Sequence, residues 1–221
     1  MTDLTLVIGN KNYSSWSLRP WLYLKHFDIP FNEVLIPLYS DGYKEKILQY
    51  SPSGKVPYLK DGELGVWDSL AIMEYLAEKY PEKKGWPEDL KVRAMARSVS
   101  AEMHSGFFAL RENMPMNCRK VFEVFVPPEN AMKDVERIKD VWSKNRREYC
   151  LKGPWIFGEF SIADCMYAPV VMRFHTYSIE LNELEKDYIQ TMRSHPAIKE
   201  WLAASNEETE IIITSEIKVA P

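Results

Sequence analysis

The chain has 221 residues, with 28 basic and 32 acidic side chains and a formal net charge of −4. This balance excludes the strongly basic surface typical of nucleic-acid-binding domains. Hydrophobic residues make up 46% of the chain, enough for a sizeable core in one large or two small domains. No apolar run reaches the roughly 18 residues of a membrane span. Residues 1–5 lack the basic start of a signal peptide.

Three cysteines, Cys118, Cys150 and Cys165, lie far apart in the sequence. An odd number of well-separated cysteines fits a reducing compartment better than a disulfide framework, so we expect a cytoplasmic protein. The histidines are scattered, and no Cys-x-x-Cys pair or His/Cys cluster indicates a metal site. We therefore predict that the protein binds no metal.

The first part of the chain alternates between short apolar runs and helical patterns. Pro20 is expected in the first turn of a helix, where the missing amide hydrogen of proline has little effect. The predicted elements are a strand over 4–8, a helix over 17–26, a strand over 31–37 and a looser helix over 41–50.

The most informative stretch runs from Ser51 to Leu76. Pro57 cannot donate to a strand ladder, which places it at the start or edge of a short strand. Asp61-Gly62 between two apolar runs predicts a hairpin turn. Asp68-Ser69 then heads a helix with one apolar face. The predicted order of elements in the first 80 residues is therefore β-α-β-α-β-β-α.

After residue 80 the character of the sequence changes. Residues 81–87 are rich in proline, glycine and charge, which is typical of a linker. We predict a domain over 1–80, a linker over 81–87 and a helical domain over 88–221. The tail, 206–221, is expected to be extended and packed on the surface. The predicted helices are 88–113, 129–150, 161–177, 184–193 and 196–204.

Two serine motifs have both a chemical and a structural interpretation. Ser14 and Ser15 lie where a loop meets a helix N-terminus, so a hydroxyl there could donate to a bound thiolate, or it could simply cap the helix. Asp68-Ser69 could bind a carboxylate and an ammonium group, or could also cap a helix. Ser161 and Asp164 form a capping box, for which we predict a structural role.

Three features combine into a family resemblance: Lys55-Val56-Pro57, the Asp61-Gly62 turn and the run from Asp68 to Leu76. Together they resemble the glutathione-binding half of the cytosolic glutathione S-transferases. The resemblance extends over nearly the whole chain, with Phe160 to Cys165 as a second matching motif. It implies a thioredoxin-like α/β domain followed by an all-α domain, glutathione as co-substrate, a small electrophilic substrate, no membrane or nucleic-acid partner, and a homodimer.

The resemblance also implies roles for individual residues. Pro57 would be cis, and the backbone of Val56 would pair with the cysteinyl part of glutathione like an added strand. Ser69 would hold the γ-glutamyl carboxylate, and Asp68 the ammonium group. Lys55 would reach the glycyl carboxylate, with Lys44 as a second candidate.

The segment from Tyr13 to Arg19 is similar to the Ser-Ser-Cys-Ser-Trp-Arg segment of the zeta class, which includes maleylacetoacetate isomerases. The match implies that Ser14 contacts the thiolate and that Ser15 supports it. Trp16 stands where that class has cysteine, and Tyr13 is the runner-up because other classes use a tyrosine. Cysteine-type classes are excluded, since no cysteine precedes Cys118.

The helical half offers candidates for an acceptor-substrate pocket. On one continuous helix, Met103, Phe107 and Leu110 would face the core, whereas His104, Phe108 and Arg111 would share another face. Trp16, Phe108 and Arg111 could line the pocket, with Arg111 or Arg173 holding an anionic group; an ordinary buried helix with a surface arginine is the alternative. His104 has no visible acidic partner and is not proposed as a base.

Three functions remain open from the sequence. The first is conjugation of glutathione, activated as thiolate, to small electrophiles. The second is glutathione-dependent cis-trans isomerisation. The third is non-catalytic binding of glutathione or another ligand, since a fold alone does not determine activity. A disulfide reductase is disfavoured because the first helix has no cysteine.

Overall fold

A computed structural model describes residues 3–217 of the protein. The first half contains a four-stranded sheet in the order β2-β1-β3-β4, with β1 parallel to β2 and antiparallel to β3. The predicted βαβαββα order is therefore confirmed. The elements are β1 (Leu4–Ile8), α1 (Ser15–His26), β2 (Asn32–Leu35), α2 (Tyr43–Leu48), β3 (Tyr58–Asp61), β4 (Leu64–Trp67) and α3 (Ser69–Lys79).

The second half is helical, as predicted. No helix among residues 3–217 is long and apolar enough to cross a membrane. The chain passes from α3 to α4 across residues 80–89, and the exact domain boundaries stay a prediction. The helices are α4 (Leu90–Ser105), α5 (Phe108–Asn113), α6 (Glu129–Tyr149), α7 (Ile162–Thr176), α8 (Glu183–Ser194) and α9 (Pro196–Glu207).

One hydrophobic core runs through both halves of the chain. Helix α7 lies at its centre, because every residue from Ile162 to Phe174 is buried. Helix α1 packs against α7 and contributes Leu18, Trp21 and Leu22, all fully buried. The start of α1, where the serines lie, is thus fixed against the helical half by a large apolar contact.

Two local details of the first half differ from expectation. Helix α1 begins at Ser15 rather than residue 17, because Ser14 caps it by accepting a hydrogen bond from Ser17 N–H at 3.4 Å. Pro20 therefore lies inside the helix and not in its first turn. The hairpin turn consists of Gly62 and Glu63, since Asp61 still pairs with Leu64.

The predicted single helix over 88–113 is wrong. The chain breaks at Gly106-Phe107, where Phe107 has a left-handed φ of 58°. Arg111 stabilises this break by donating from Nε to the Gly106 carbonyl at 3.0 Å and from Nη2 to the Met103 carbonyl. Met103, Phe107 and Leu110 are nevertheless all buried, although they do not lie on one continuous helix.

The tail is not a strand over its described part. It is mostly irregular, with a 3-10 turn at Ile213–Ser215. Ile212 is buried, whereas Ile211 and Ile213 are 68% and 79% exposed. The tail packs back onto the loop before α1, and the rest of the predicted tail, 218–221, lies outside the described residues.

Acid should destabilise the junction between α1 and α9. His26 Nδ1 lies 2.9 Å from His195 Nε2, and the His26 ring stacks on Phe160 at 3.6 Å. Burial, followed by the nearby His195, lowers the pKa of His26 from 6.5 to about 4. A depressed pKa means that the neutral side chain stabilises the fold at neutral pH, and this stability is lost as the pH falls from 6.5 through about 4.

His26→Phe removes this titration while keeping an aromatic ring on Phe160. We expect the free energy of unfolding to fall less between pH 7 and about pH 5 in the variant than in the wild type. Urea denaturation at the two pH values measures this difference. Equal losses in both proteins would contradict the assignment.

Candidate active site

The predicted binding residues of the first half meet in one cleft of about 620 Å³. Its walls come from the start of α1, the loop before β3 and the start of α3. The lining residues are Trp16, Ser53, Lys55, Val56, Pro57, Trp67, Asp68 and Ser69.

The bond between Val56 and Pro57 is cis, as the resemblance implied. Pro57 immediately precedes β3 and is buried, so its missing amide hydrogen falls at the strand start. Within residues 3–217, neither the N–H nor the carbonyl of Val56 has a hydrogen-bond partner. Val56 therefore presents an unpaired backbone edge to the cleft, which an extended peptide can use.

Asp68 caps α3 at the opposite wall of the cleft. Its Oδ1 accepts from the N–H groups of Leu70 at 2.9 Å and Ala71 at 3.3 Å. Its Oδ2 lies 3.3 Å from Nε2 of His104 on α4. The expectation that His104 has no acidic partner was therefore wrong, because the partner comes from the other half of the chain.

Ser69 is fully buried, and its hydroxyl oxygen accepts a hydrogen bond from Nη1 of Arg19 at 3.3 Å. Since that oxygen already accepts from Arg19, its own hydrogen is left to donate to a ligand. This supports a carboxylate-binding role, because the N-terminus of α3 also favours negative charge.

Arg19 is a candidate site residue that sequence reasoning missed. It is fully buried, its guanidinium lies 4.4 Å from the Trp16 ring centroid, and its Nε and Nη2 have no partner among the described residues. Burial, followed by the charges of Arg111 and Arg173, lowers the pKa of Arg19. A charged residue within the otherwise apolar segment Leu18–Leu24 was the available signal.

Ser14 and Ser15 lie at the N-terminus of α1, next to the cleft residue Trp16. Both are at least nine-tenths buried. The Ser14 hydroxyl donates to Oγ of Ser17 at 2.7 Å. The capping interpretation of Ser14 is thus observed directly, and its contact with a thiolate stays a prediction.

Tyr13, the runner-up, is turned toward the C-terminal tail. Its hydroxyl donates to Glu216 at 2.6 Å and accepts from Arg119 at 3.0 Å. Burial, followed by the Glu216 hydrogen bond, raises the pKa of Tyr13. None of Tyr13, Ser14 and Ser15 is among the residues that line the cleft. Tyr13 is engaged with Glu216 and Arg119 of the helical half, whereas Ser14 directly precedes α1, whose second residue Trp16 lines the cleft, so Ser14 stays the preferred candidate.

The acceptor-side candidates are only partly assembled. His104 contacts the Trp16 ring edge-on at 5.3 Å, and Arg111 lies 4.9 Å from its centroid. Two Arg111 donors are already used at the helix break, however, and Phe108 is 73% exposed and absent from the cleft lining. The roles of Phe108 and Arg111 stay predictions.

Three further cations were candidates for binding anions. Lys55 is exposed and lines the cleft, whereas Lys44 is exposed but does not line it. Arg173 is buried and donates to the carbonyls of Met114 at 2.8 Å and Pro169 at 3.3 Å. These bonds commit Arg173 to the main chain, so it is not placed to hold a substrate carboxylate.

Neither described cysteine thiol is activated. Burial raises the pKa of Cys118 to about 12 and also raises that of Cys165. Within residues 3–217, no group of three or more His, Cys, Asp or Glu side chains could hold a metal ion.

Two models of known protein families match this chain. The family model for the glutathione S-transferase N-terminal domain matches residues 13–79, and the one for the C-terminal domain matches residues 129–204. Together these models match more than half of the chain. The chain belongs to the glutathione S-transferase family.

Relatives within this family include two kinds of enzyme. A probable maleylacetoacetate isomerase of Caenorhabditis elegans is 39% identical over 93 residues, 42% of each chain. The maleylacetoacetate isomerase of Rattus norvegicus is 28% identical over 76% of each chain. Glutathione S-transferase T2 of Arabidopsis thaliana is 26% identical over 85% of this chain. The matches span 42% of the nematode relative and 32% of the Arabidopsis relative, less than half of each.

The family fold is also found in solved structures. A glutathione transferase homologue from Burkholderia, solved with bound glutathione, aligns with a TM-score of 0.71 and 22% identity. The alignment covers 94% of this chain and all of the Burkholderia chain. This likeness establishes a thioredoxin-like domain followed by a helical domain.

Proposed function

We propose that this glutathione S-transferase family member is a glutathione transferase. It binds glutathione in the cleft, holds it as thiolate and transfers it to a small electrophile. The observation that carries the proposal is the unpaired Val56 backbone beside cis Pro57, facing Asp68 and Ser69 across one cleft.

Each part of glutathione has a complementary group in the cleft. The Val56 backbone pairs with the extended cysteinyl residue. The Ser69 hydroxyl, already accepting from Arg19, donates to the γ-glutamyl carboxylate. Among residues 3–217, Asp68 is the one acidic residue that lines the cleft, and it takes the ammonium group. Lys55, exposed at the rim, attracts the glycyl carboxylate.

The chemistry needs a thiolate and no protein nucleophile. The Ser14 hydroxyl donates to the sulfur in place of its present bond to Ser17, and Ser15 supports it. The N-terminus of α1 favours the anion further. The thiol proton leaves to solvent, the thiolate forms a carbon–sulfur bond, and the leaving group departs with its electron pair.

A glutathione-dependent isomerase is the second candidate, favoured by the maleylacetoacetate isomerases among the relatives. The same thiolate would add to a conjugated double bond, the resulting single bond would rotate, and elimination would release glutathione. Trp16 occupies the position where the zeta class has cysteine. Product analysis distinguishes the two candidates: a transferase conjugates glutathione to an aryl halide, whereas an isomerase converts a cis-enone to its trans isomer.

The thiolate absorbance of glutathione bound to the wild-type protein, followed across pH, tests the proposal. We expect the bound thiol to ionise well below its free pKa, and a chloronitrobenzene electrophile to be conjugated. Binding without a lowered pKa or turnover would identify a glutathione-binding protein without transferase activity. Absence of binding would overturn the proposal.

Asp68→Asn should weaken glutathione binding by about 10-fold, because the ammonium group loses a charged partner. This corresponds to a loss of about 1.4 kcal/mol in binding free energy. Asp89→Asn is a matched control, because Asp89 caps α4 through two N–H groups in the same way but lies outside the cleft. Titration calorimetry with glutathione measures both variants. Equal affinities of the two variants would contradict the role of Asp68.

We also propose that the protein is a cytoplasmic homodimer. Edge strand β4 leaves Leu64 and Trp67 about half exposed, beside the start of α3. A second copy would cover these apolar side chains. Analytical ultracentrifugation should give twice the chain mass, and a monomer at micromolar concentration would contradict the assembly.

A further inference from the structure

The loop of residues 9–13, called here the thiol loop, connects β1 to Ser14. Inside it, the Asn10 carbonyl accepts from the N–H groups of Tyr13 at 3.2 Å and Ser14 at 2.8 Å. This turn fixes Ser14 relative to Asn10. Ser14 is therefore positioned from two sides, by its capping bond to α1 and by whatever holds the thiol loop.

The helical half binds every outward main-chain group of Lys11 and Asn12. Glu208, 197 residues after Lys11, accepts the Lys11 N–H at 2.5 Å with Oε1 and the Asn12 N–H at 3.0 Å with Oε2. Trp201 Nε1 donates to the Lys11 carbonyl at 2.8 Å, and Cys118 N–H donates to the Asn12 carbonyl at 3.2 Å. One carboxylate thus clamps two consecutive peptide groups through charge-assisted hydrogen bonds.

Arg119 holds the segment that carries Glu208. Its guanidinium donates to the carbonyls of Glu208 and of Glu210, the latter at 2.9 Å, and to the Tyr13 hydroxyl at 3.0 Å. The Tyr13 hydroxyl in turn donates to Glu216. Segment 208–216 is therefore fastened to the thiol loop at both of its ends.

Polar contacts, rather than apolar burial, hold this segment in place. Ile212 is its one buried large apolar side chain, while its neighbours Ile211 and Ile213 are mostly exposed. Burial raises the pKa of Glu208, although the Lys11 and Asn12 N–H groups oppose that change. The half-buried carboxylate of Glu208 accepts hydrogen bonds from two main-chain N–H groups of the thiol loop, which indicates that Glu208 holds this loop in position.

We propose that segment 208–216 positions the active-site serine, with Glu208 as the positioning residue. The inference rests on the proposed function, in which Ser14 donates to the glutathione thiolate. The contacts proposed for the rest of glutathione lie on other elements, at Val56 and at Asp68-Ser69. Loss of Glu208 therefore displaces the Ser14 hydroxyl while leaving glutathione binding in place. Misplacement by about 1 Å can cost up to about 100-fold in rate.

The test compares Glu208→Ala with Glu207→Ala in the full chain. Glu207 is the preceding residue and is exposed, and its side chain makes no hydrogen bond or ion pair among residues 3–217. For Glu208→Ala we expect kcat to fall about 10-fold or more, the pKa of the bound thiol to rise, and the dissociation constant of glutathione to change less than about 3-fold. Glu207→Ala should match the wild type. Glu208→Gln keeps one acceptor oxygen, so its kcat and bound-thiol pKa should lie between those of Glu208→Ala and Glu207→Ala. This variant also provides a test if Glu208→Ala folds poorly.

Two outcomes overturn the inference separately from the proposed function. If Glu208→Ala lowers the melting temperature but leaves kcat and the bound-thiol pKa unchanged, the segment is only structural. If glutathione affinity falls as much as kcat, Glu208 does not act through Ser14 alone. If the wild type itself fails to ionise glutathione, the proposed function fails, and the positioning role falls with it.

Discussion

Replacing Ser14 with alanine is expected to lower kcat for conjugation by about 10²–10³-fold, the usual effect of removing one donor to a developing or held anion. The thiol of bound glutathione should ionise closer to its free pKa. Glutathione affinity should change little, because the proposed contacts of Val56 and Ser69 remain. Steady-state kinetics and the ultraviolet titration of bound thiol measure the two effects.

The controls separate thiolate contact from helix capping. Ser14 also caps α1, and loss of such a cap destabilises a protein by about 0.5–2 kcal/mol. Ser14→Thr keeps both a cap and a hydroxyl, so it should retain most activity. Ser15→Ala should have the smaller effect of the two alanine variants. If Ser15→Ala abolishes thiol ionisation and Ser14→Ala does not, our choice of serine is wrong.

The parts of the site that could be predicted from the sequence depend on neighbours close along the chain. The Asp68 cap contacts N–H groups two and three residues away. The placement of Pro57 at a strand start follows from its own missing N–H, whereas its cis bond was expected from the family resemblance. The capping box joins Ser161 to Asp164 in the same way. Turn and cap chemistry of this kind is visible in short sequence windows.

The parts that were missed depend on contacts between distant segments. His104 contacts Asp68, 36 residues away, and the Arg19 guanidinium reaches Ser69, 50 residues away. The tail contact from Glu208 to Lys11 is longer still. Only tertiary packing brings such groups together, so a hydrophobic pattern does not reveal them.

The break between α4 and α5 shows a different limit. Apolar periodicity continues through Met103, Phe107 and Leu110, which favoured one helix. Gly106 was the signal for a helix end, since glycine is common there. The break is completed by Arg111, whose guanidinium binds carbonyls at the end of α4. Periodicity alone could not show that competing interaction.

Asp164→Ala should destabilise the protein by about 3 kcal/mol or more, since each buried donor left without a partner costs about 1–3 kcal/mol. Asp164 is fully buried and accepts from Ser161 N–H at 2.9 Å, Ile156 N–H at 3.1 Å and the Tyr188 hydroxyl at 3.2 Å. The melting temperature should fall by about 6–12 °C for a chain of this size. Asp89→Ala, which removes an exposed cap, should cause a smaller loss. Equal losses would contradict the role of burial.

The pH dependence of Asp164→Asn gives an independent check on the same carboxyl group. Burial raises the pKa of Asp164 from 3.8 to about 6, although its hydrogen bonds oppose the change. Between these values the native state binds more protons than the unfolded state, so this contribution to stability is lost as the pH rises through the window. The asparagine variant lacks this titration, whereas all other titratable groups are the same in the variant and the wild type. The stability advantage of the wild type over Asp164→Asn should therefore shrink from about pH 4 to pH 7 in urea denaturation. A difference that stays constant would show that Asp164 keeps an ordinary pKa despite its burial.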